Sequence, residues 1–228
     1  MNLQRLVNPV LLNTVVPLEA SHVEALVTTL SGALHDEPNF LYMVPDERTR
    51  RIVLPSFFRS AIRAGERYGE IHMTENADAV AIWIRPEHNR PFRRLMQTAF
   101  MPLPFNQRWE FTTRYMNVYV SVEEARKRVA PVPHWYLMFL GVEASQPENV
   151  IREVLIEPML CRADSRGMSC YLETHSENRL AFYEECGFRI GAAGRTSEGG
   201  PDFWAMTRAA VQSAIATASS YDDRSTPR

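Results

Sequence analysis

Glu173 and His175 stand two residues apart in the run MSCYLETH. In an extended chain that spacing puts both side chains on one face. A carboxylate or an imidazole at a strand end can take a proton from a nucleophile, and Tyr183, a little further on, carries a hydroxyl that can return one. Each also has a plainer use. Glu173 can hold a neighbouring strand or arginine in place, and Tyr183, next to Phe182, can fill a core. His134 reads as a strand-end hydrogen-bonding group. No two of the six histidines sit at i and i+4 with a carboxylate partner, and G-x-S-x-G, Walker and G-x-G-x-x-G runs are missing. The chemistry to expect is therefore proton transfer between side chains, without a metal.

These residues need strands and helices to hold them. His134–Val142 is apolar on both faces, as a strand buried on both sides would be. Strict alternation turns His134, Tyr136, Met138, Leu140 and Val142 one way, and Trp135, Leu137 and Phe139 the other. Ile151, Val154, Leu155 and Met159 then recur at helical spacing, and Gly167 follows where a left-handed C-cap is wanted. In the next strand Cys170, Leu172 and Thr174 oppose Tyr171, Glu173 and His175. A short helix from about Asn178 ends at Gly187, and Phe188 starts another strand.

LGV at Leu140–Val142, a loop beginning with Gln146, the helix, YLET at Tyr171–Thr174, and Asn178 followed by FYEECGF together resemble the acyl-CoA-binding half of the GNAT N-acetyltransferases. The resemblance spans about Ser21 to Arg208. No single piece is specific, but five occur in the right order. It implies an α/β fold, with a mixed, mostly antiparallel sheet of about six or seven strands, helices on both faces and a splay between the fourth and fifth strands. It also implies acetyl-CoA or another acyl-CoA as co-substrate, held by Leu140, Gly141, Val142, Gln146, Asn149, Val150, Ile151 and Asn178. Tyr183 falls at the family's acid position, and Glu173, directly or through water, is the first candidate base beside His175.

One part departs from the family. Its coenzyme loop reads Gln/Arg-x-x-Gly-x-Gly/Ala, with backbone N–H groups cradling a pyrophosphate. Here the run is Gln146-Pro147-Glu148-Asn149-Val150-Ile151, and only the first fixed position matches. Asn149 and Ile151 replace the glycines, Pro147 removes a donor, and Glu148 adds a negative charge. Each costs about 1 kcal/mol, and together they could weaken binding on the order of a hundredfold. The implied function is an acyl-CoA-dependent N-acyltransferase acting on a small, fairly apolar molecule. Two others stay open: a GNAT-fold enzyme that no longer uses acyl-CoA and catalyses a cyclisation or isomerisation, and a non-catalytic ligand-binding relative.

Along the chain, Leu11–Leu18 reads as the first strand, and Ser21 with Glu24 has the spacing of a capping box before the stripe Val23, Leu26, Val27, Leu30 and Leu34. His35–Pro38 breaks that helix. The resemblance puts this break beside the acceptor site, making Asp36, Glu37, Phe40 and Tyr42 candidate contacts. A helix from about Pro45 to Gly65 should kink or restart at Pro55. Gly69–Thr74 and Ala79–Arg85 form a hairpin. An insert at about 87–133 holds helices at Arg90–Phe100 and Gln107–Arg128. Its aromatics, Trp109, Tyr115 and Tyr119 among them, pack on the sheet or line an apolar cavity. Trp83 and Tyr136 on neighbouring strands complete the candidate substrate wall of Phe40, Tyr42, Trp83, Trp109 and Tyr136. Strands at Arg189–Ala192 and Asp202–Thr207 close the sheet.

With 45% hydrophobic and 23% charged residues among 228, the chain reads as one domain over 1–208, with a frayed tail at 209–228. A net charge of −2 argues against a nucleic-acid partner. Three cysteines without a C-x-x-C pair, no leader and no apolar run long enough to span a membrane make a cytoplasmic protein with no membrane partner the expectation. The number of subunits is not legible.

Overall fold

The computed structural model describes residues 15–88, 105–143 and 148–211. Leu11–Thr14, the helix expected at Arg90–Phe100, Gln146 and the tail from 212 lie outside them. Seven strands form one sheet: β1 (Val15–Pro17), β2 (Gly69–Thr74), β3 (Ala79–Ile84), β4 (His134–Val142), β5 (Ser169–Thr174), β6 (Arg189–Arg195) and β7 (Asp202–Arg208), in the order β1-β2-β3-β4-β5-β7-β6. Every neighbouring pair is antiparallel except β4 and β5, which run parallel. A parallel pair needs a crossover, and helix α5 (Glu148–Ser165) supplies it. Gly167, at φ +62°, makes the left-handed turn that ends this crossover and feeds β5.

The central strands are apolar on both sides because both sides are covered. On one side lie α1 (Val23–Ala33), α2 (Pro38–Met43), α3 (Glu47–Tyr68) and α4 (Phe105–Val129). Leu26, Leu30, Phe58 and Ile62 of this layer pack with Val80, Ile82, Tyr136, Met138 and Tyr171 of the sheet. On the other side α5 and α6 (Leu180–Glu185) bring Leu155, Ile156, Met159, Phe182 and Tyr183 against Ala81, Trp83, Trp135, Leu137 and Leu172. No helix among the described residues is long and apolar enough to cross a membrane.

Three local expectations meet different outcomes, each for an identifiable reason. The capping box does not form: Ser21 sits in a 3-10 turn, and Glu24 instead takes two hydrogen bonds from Arg59 of α3, at 2.9 and 2.6 Å. The break at His35–Pro38 holds, since α1 ends at Ala33, and a short helix, α2, follows at once because Pro38 suits a first helical position. Pro55 neither ends nor restarts α3, which begins with the Asp46 carboxylate accepting from Thr49 N at 2.8 Å and runs to Tyr68. Its buried face, including Leu54, Phe57, Phe58, Ala61 and Ile62, outweighs one missing backbone donor.

Candidate functional site

The site starts from a defect in β4. Ile82 of β3 pairs with Phe139 and Trp83 pairs with Leu137, leaving Met138 as an extra residue in β4. The bulge corrects the alternation expected from sequence. Tyr136 and Met138 keep to the α1/α3 side, where Phe139 joins them, while Leu140 and Val142 turn to the α5 side with Leu137. Pairing with β5 stops at the same point. It covers His134–Leu137 against Ser169–Leu172; beyond that β4 pairs only with β3, and β5 only with β7. The sheet therefore splays between its two parallel strands, as a bulged strand bends away from its neighbour.

The splay opens into a cavity of about 90 Å³. Its walls are largely aromatic and aliphatic: Leu34, Phe40, Met43, Phe57, Tyr115, Tyr119, Met138 and Phe139. Phe40, Phe57, Phe58 and Phe139 meet edge to face at centroid distances of 5.3–5.8 Å, which makes the wall a packed aromatic cluster. Into this apolar space project Glu37, Glu173, His175, Arg179 and Tyr183.

Glu173 is at the end of β5, where the strand has lost β4 as a neighbour. Burial pushes its carboxyl up to about 7, although the Tyr136 and Tyr171 hydroxyls and the Arg126 charge all favour its ionised form. Tyr136 donates its hydroxyl to the Glu173 carboxylate. Burial and the nearby carboxylate both keep that phenol protonated. Such a carboxyl changes charge near neutral pH, as a general base should. His175 Nδ1 donates to the Asp202 carbonyl at 3.1 Å, leaving Nε2 as an acceptor. Burial lowers this imidazole to about 4, so it is neutral at pH 7. Tyr183 is 5% exposed and packs edge to face on Phe182 and Phe188 at 5.3 and 6.2 Å.

The cavity thus brings together Glu37, Glu173, His175, Tyr183, Phe40 and Leu140 from the sequence candidates. Tyr136 supports Glu173 rather than facing the cavity. Gly141 has no room for a side chain, since a Cβ there would stand 2.9 Å from Leu30, and β4 packs closely on α1 at this point. Val142 is buried with the α5 core, Asn178 is exposed in a 3-10 turn, and the backbone of Asn149, Val150 and Ile151 opens α5. Three substrate candidates lie elsewhere. Trp83 is fully buried on the α5 side because alternation along β3 turns it there. Trp109 is 80% exposed on the outer side of α4. Tyr42 accepts from Asn117 at 3.1 Å and donates to the Ser197 carbonyl at 3.2 Å, tying α2 to α4 and to the β6–β7 turn. Asp36 is largely exposed and pairs with His35 and Arg50. Sequence reasoning missed Arg179, and nothing local marks it: a charged residue in a short turn reads as solvated until the fold closes over it.

No family model matches the chain. An uncharacterized N-acetyltransferase of Schizosaccharomyces pombe is 21% identical over 178 residues, covering 75% of this chain and 72% of the yeast protein. A solved Corynebacterium glutamicum structure, described as histone acetyltransferase HPA2 and related acetyltransferase, superposes with a TM-score of 0.62 at 21% identity, over 88% of this chain and 98% of the other. Arylalkylamine N-acetyltransferase 2 from Aedes aegypti superposes with a TM-score of 0.53 at 10% identity, over 86% and 97%. At these identities the likeness establishes the fold: a mixed α/β sheet flanked by helices, shared with acetyltransferases.

Proposed function

We propose that this chain, a member of the GNAT superfamily by fold, is an acyl-CoA-dependent N-acyltransferase whose acceptor is a small, fairly apolar amine. The observation that carries the reading is Glu173, a carboxyl tuned to about 7 where β4 and β5 part, in a cavity with aromatic walls. An amine arrives mostly as an ammonium ion and must lose a proton before it can attack. A carboxylate with a pKa near 7 is ionised often enough at neutral pH to accept that proton, and basic enough to hold it.

The free amine then attacks the thioester carbonyl, the C–N bond forms, the nitrogen gives up its second proton to solvent water, the C–S bond breaks, and the departing thiolate takes a proton. Tyr183, buried in the same cavity, is the donor in this reading, and its proton is restored from solvent. His175, neutral and with Nε2 free to accept, assists the first transfer. Tyr136 orients Glu173 from behind. The half of β4 beyond Met138 offers an extended ligand a strand edge of the kind that pairs with amide-bearing chains, which suits the arm of an acyl-CoA. The aromatic walls favour an apolar or aromatic amine, and one structural neighbour is named for arylalkylamines.

The test is thiol release from acetyl-CoA in the presence of a panel of aryl and alkyl amines, with Glu173→Gln as control. Turnover with an apolar amine, lost in the variant, is the expected result. No thermal stabilisation by millimolar acetyl-CoA, together with no thiol release from any amine, would end the proposal.

A further inference from the structure

Arg179 bridges two parts of the cavity wall, Glu37 and Leu140. One guanidinium nitrogen lies 2.8 Å from the Glu37 carboxylate, in the connection between α1 and α2, and both side chains are 15% exposed. The other terminal nitrogen donates to the Leu140 carbonyl at 3.4 Å. Leu140 belongs to the half of β4 that has lost β5, so its carbonyl would otherwise meet only the open cleft. One arginine from the turn after β5 thereby ties the α1–α2 connection to the unzipped edge of β4.

We infer that Arg179 and Glu37 form a clasp over this edge, which an extended, amide-bearing ligand must undo in order to seat, so that ligand entry releases the α1–α2 connection. The inference rests on the acyl-CoA reading for the identity of that ligand. Three observations carry it. The clasp occupies the carbonyl that an added strand would use, and a ligand N–H cannot share the Arg179 position. The Leu140 bond is long, hence weak, whereas the ion pair is short, so the contact to β4 gives way first. Finally, the cavity of about 90 Å³ is far smaller than the several hundred cubic ångströms that a small-molecule site generally offers, so the closed arrangement does not hold both substrates. Arg179 is in this sense a positioning residue that sets what may enter, and Glu37 is its anchor.

The experiment compares the full chain with Arg179→Ala and Glu37→Gln. Coenzyme A binding is measured by titration calorimetry, and backbone hydrogen exchange is followed over residues 34–41. Opening a half-buried ion pair should tighten coenzyme A binding to Arg179→Ala about fivefold. Exchange over residues 34–41 should speed up in both variants. Unchanged or weaker binding to Arg179→Ala overturns the clasp, since Arg179 would then be neutral to the ligand or a contact for it. If neither wild type nor variant binds at millimolar coenzyme A, the acyl-CoA reading fails, and the clasp is decided by exchange alone: equal protection in all three proteins overturns it.

Discussion

The two ends of the β4–β5 pair are built from one strand pair and have opposite characters. From His134 to Leu137 the strands are hydrogen-bonded, and Trp135, Leu137, Cys170 and Leu172 close a dry layer beneath α5. Past Met138 the same two strands part, and the space between them holds Glu173, His175, Arg179 and Tyr183. The closed end follows the ordinary rule that strands pair and apolar faces are covered. The open end breaks it at a single extra residue, and two of the groups admitted there, Glu173 and His175, have their pKa values shifted because apolar walls still surround them. The closed end buries apolar side chains, and the open end carries Glu173 and His175, two ionisable groups that burial perturbs.

Several substitutions would break or sharpen this contrast. The largest effect belongs to Glu173→Gln, which should lower kcat/KM about a thousandfold. In the wild type kcat/KM should rise through a pH of about 7 as Glu173 ionises, and the variant should lose that inflection. If the inflection persists in Glu173→Gln but vanishes in His175→Gln, the assignment of the base is reversed. At the closed end Leu172→Ala should cost roughly 3 kcal/mol in urea denaturation, with kcat retained in the folded fraction.

The pH dependence of stability separates the two titrating groups. Glu173 keeps its proton up to about 7 when folded, against 4.5 ordinarily, so folding loses stability as the pH rises through that window. His175 has the opposite sign. It is held at about 4 against 6.5, so stability is lost as the pH falls through that range. Between about 4.5 and 6.5 the two slopes cancel. Glu173→Gln removes the Glu173 contribution and leaves that of His175 in place. The variant should therefore gain stability over wild type by about 1.4 kcal/mol per pH unit across that window, approaching about 3 kcal/mol at pH 7. Denaturation midpoints at pH 5, 6 and 7 measure this directly, and parallel curves for the two proteins would remove Glu173 from its buried environment.

Tyr183→Phe should lower kcat about tenfold with KM little changed. A tyrosine that only packs would show a loss of stability and an unaltered kcat. The smallest effect is at Tyr136→Phe, which removes a donor to the Glu173 carboxylate and should move the inflection of kcat/KM upward from about 7. A downward move would mean that Tyr136 supports the protonated form instead.

How much could be read beforehand depends on how far apart in the chain the deciding atoms lie. The strands at Gly69–Thr74, Ala79–Ile84 and His134–Val142 were legible to within a residue, because each is an apolar run between turn residues and both signals are local. Glu173 and His175 were legible as a pair on one face for the same reason, since strand period alone puts them there. Trp83 and Trp109 were not. Both are large aromatics of the kind that line pockets, but one is turned to the opposite core by its place on β3, and the other is left exposed on α4. The Ser21 capping box lost its glutamate to Arg59, thirty-five residues away, a partner that helix spacing cannot foresee.

By itself the sequence determined the kinds of groups available, the order of strands and helices, and the faces that each strand shows up to its first irregularity. Those follow from backbone period and side-chain type. The resemblance already implied a splay between the fourth and fifth strands; the tertiary structure decided the bulge at Met138, the residue past which β4 leaves β5, the shift of Glu173 to about 7 and the reach of Arg179 to Glu37 and Leu140. All four depend on which distant segments exclude water from one another. A charge is perturbed, and an edge left open, only by neighbours that the fold has brought together.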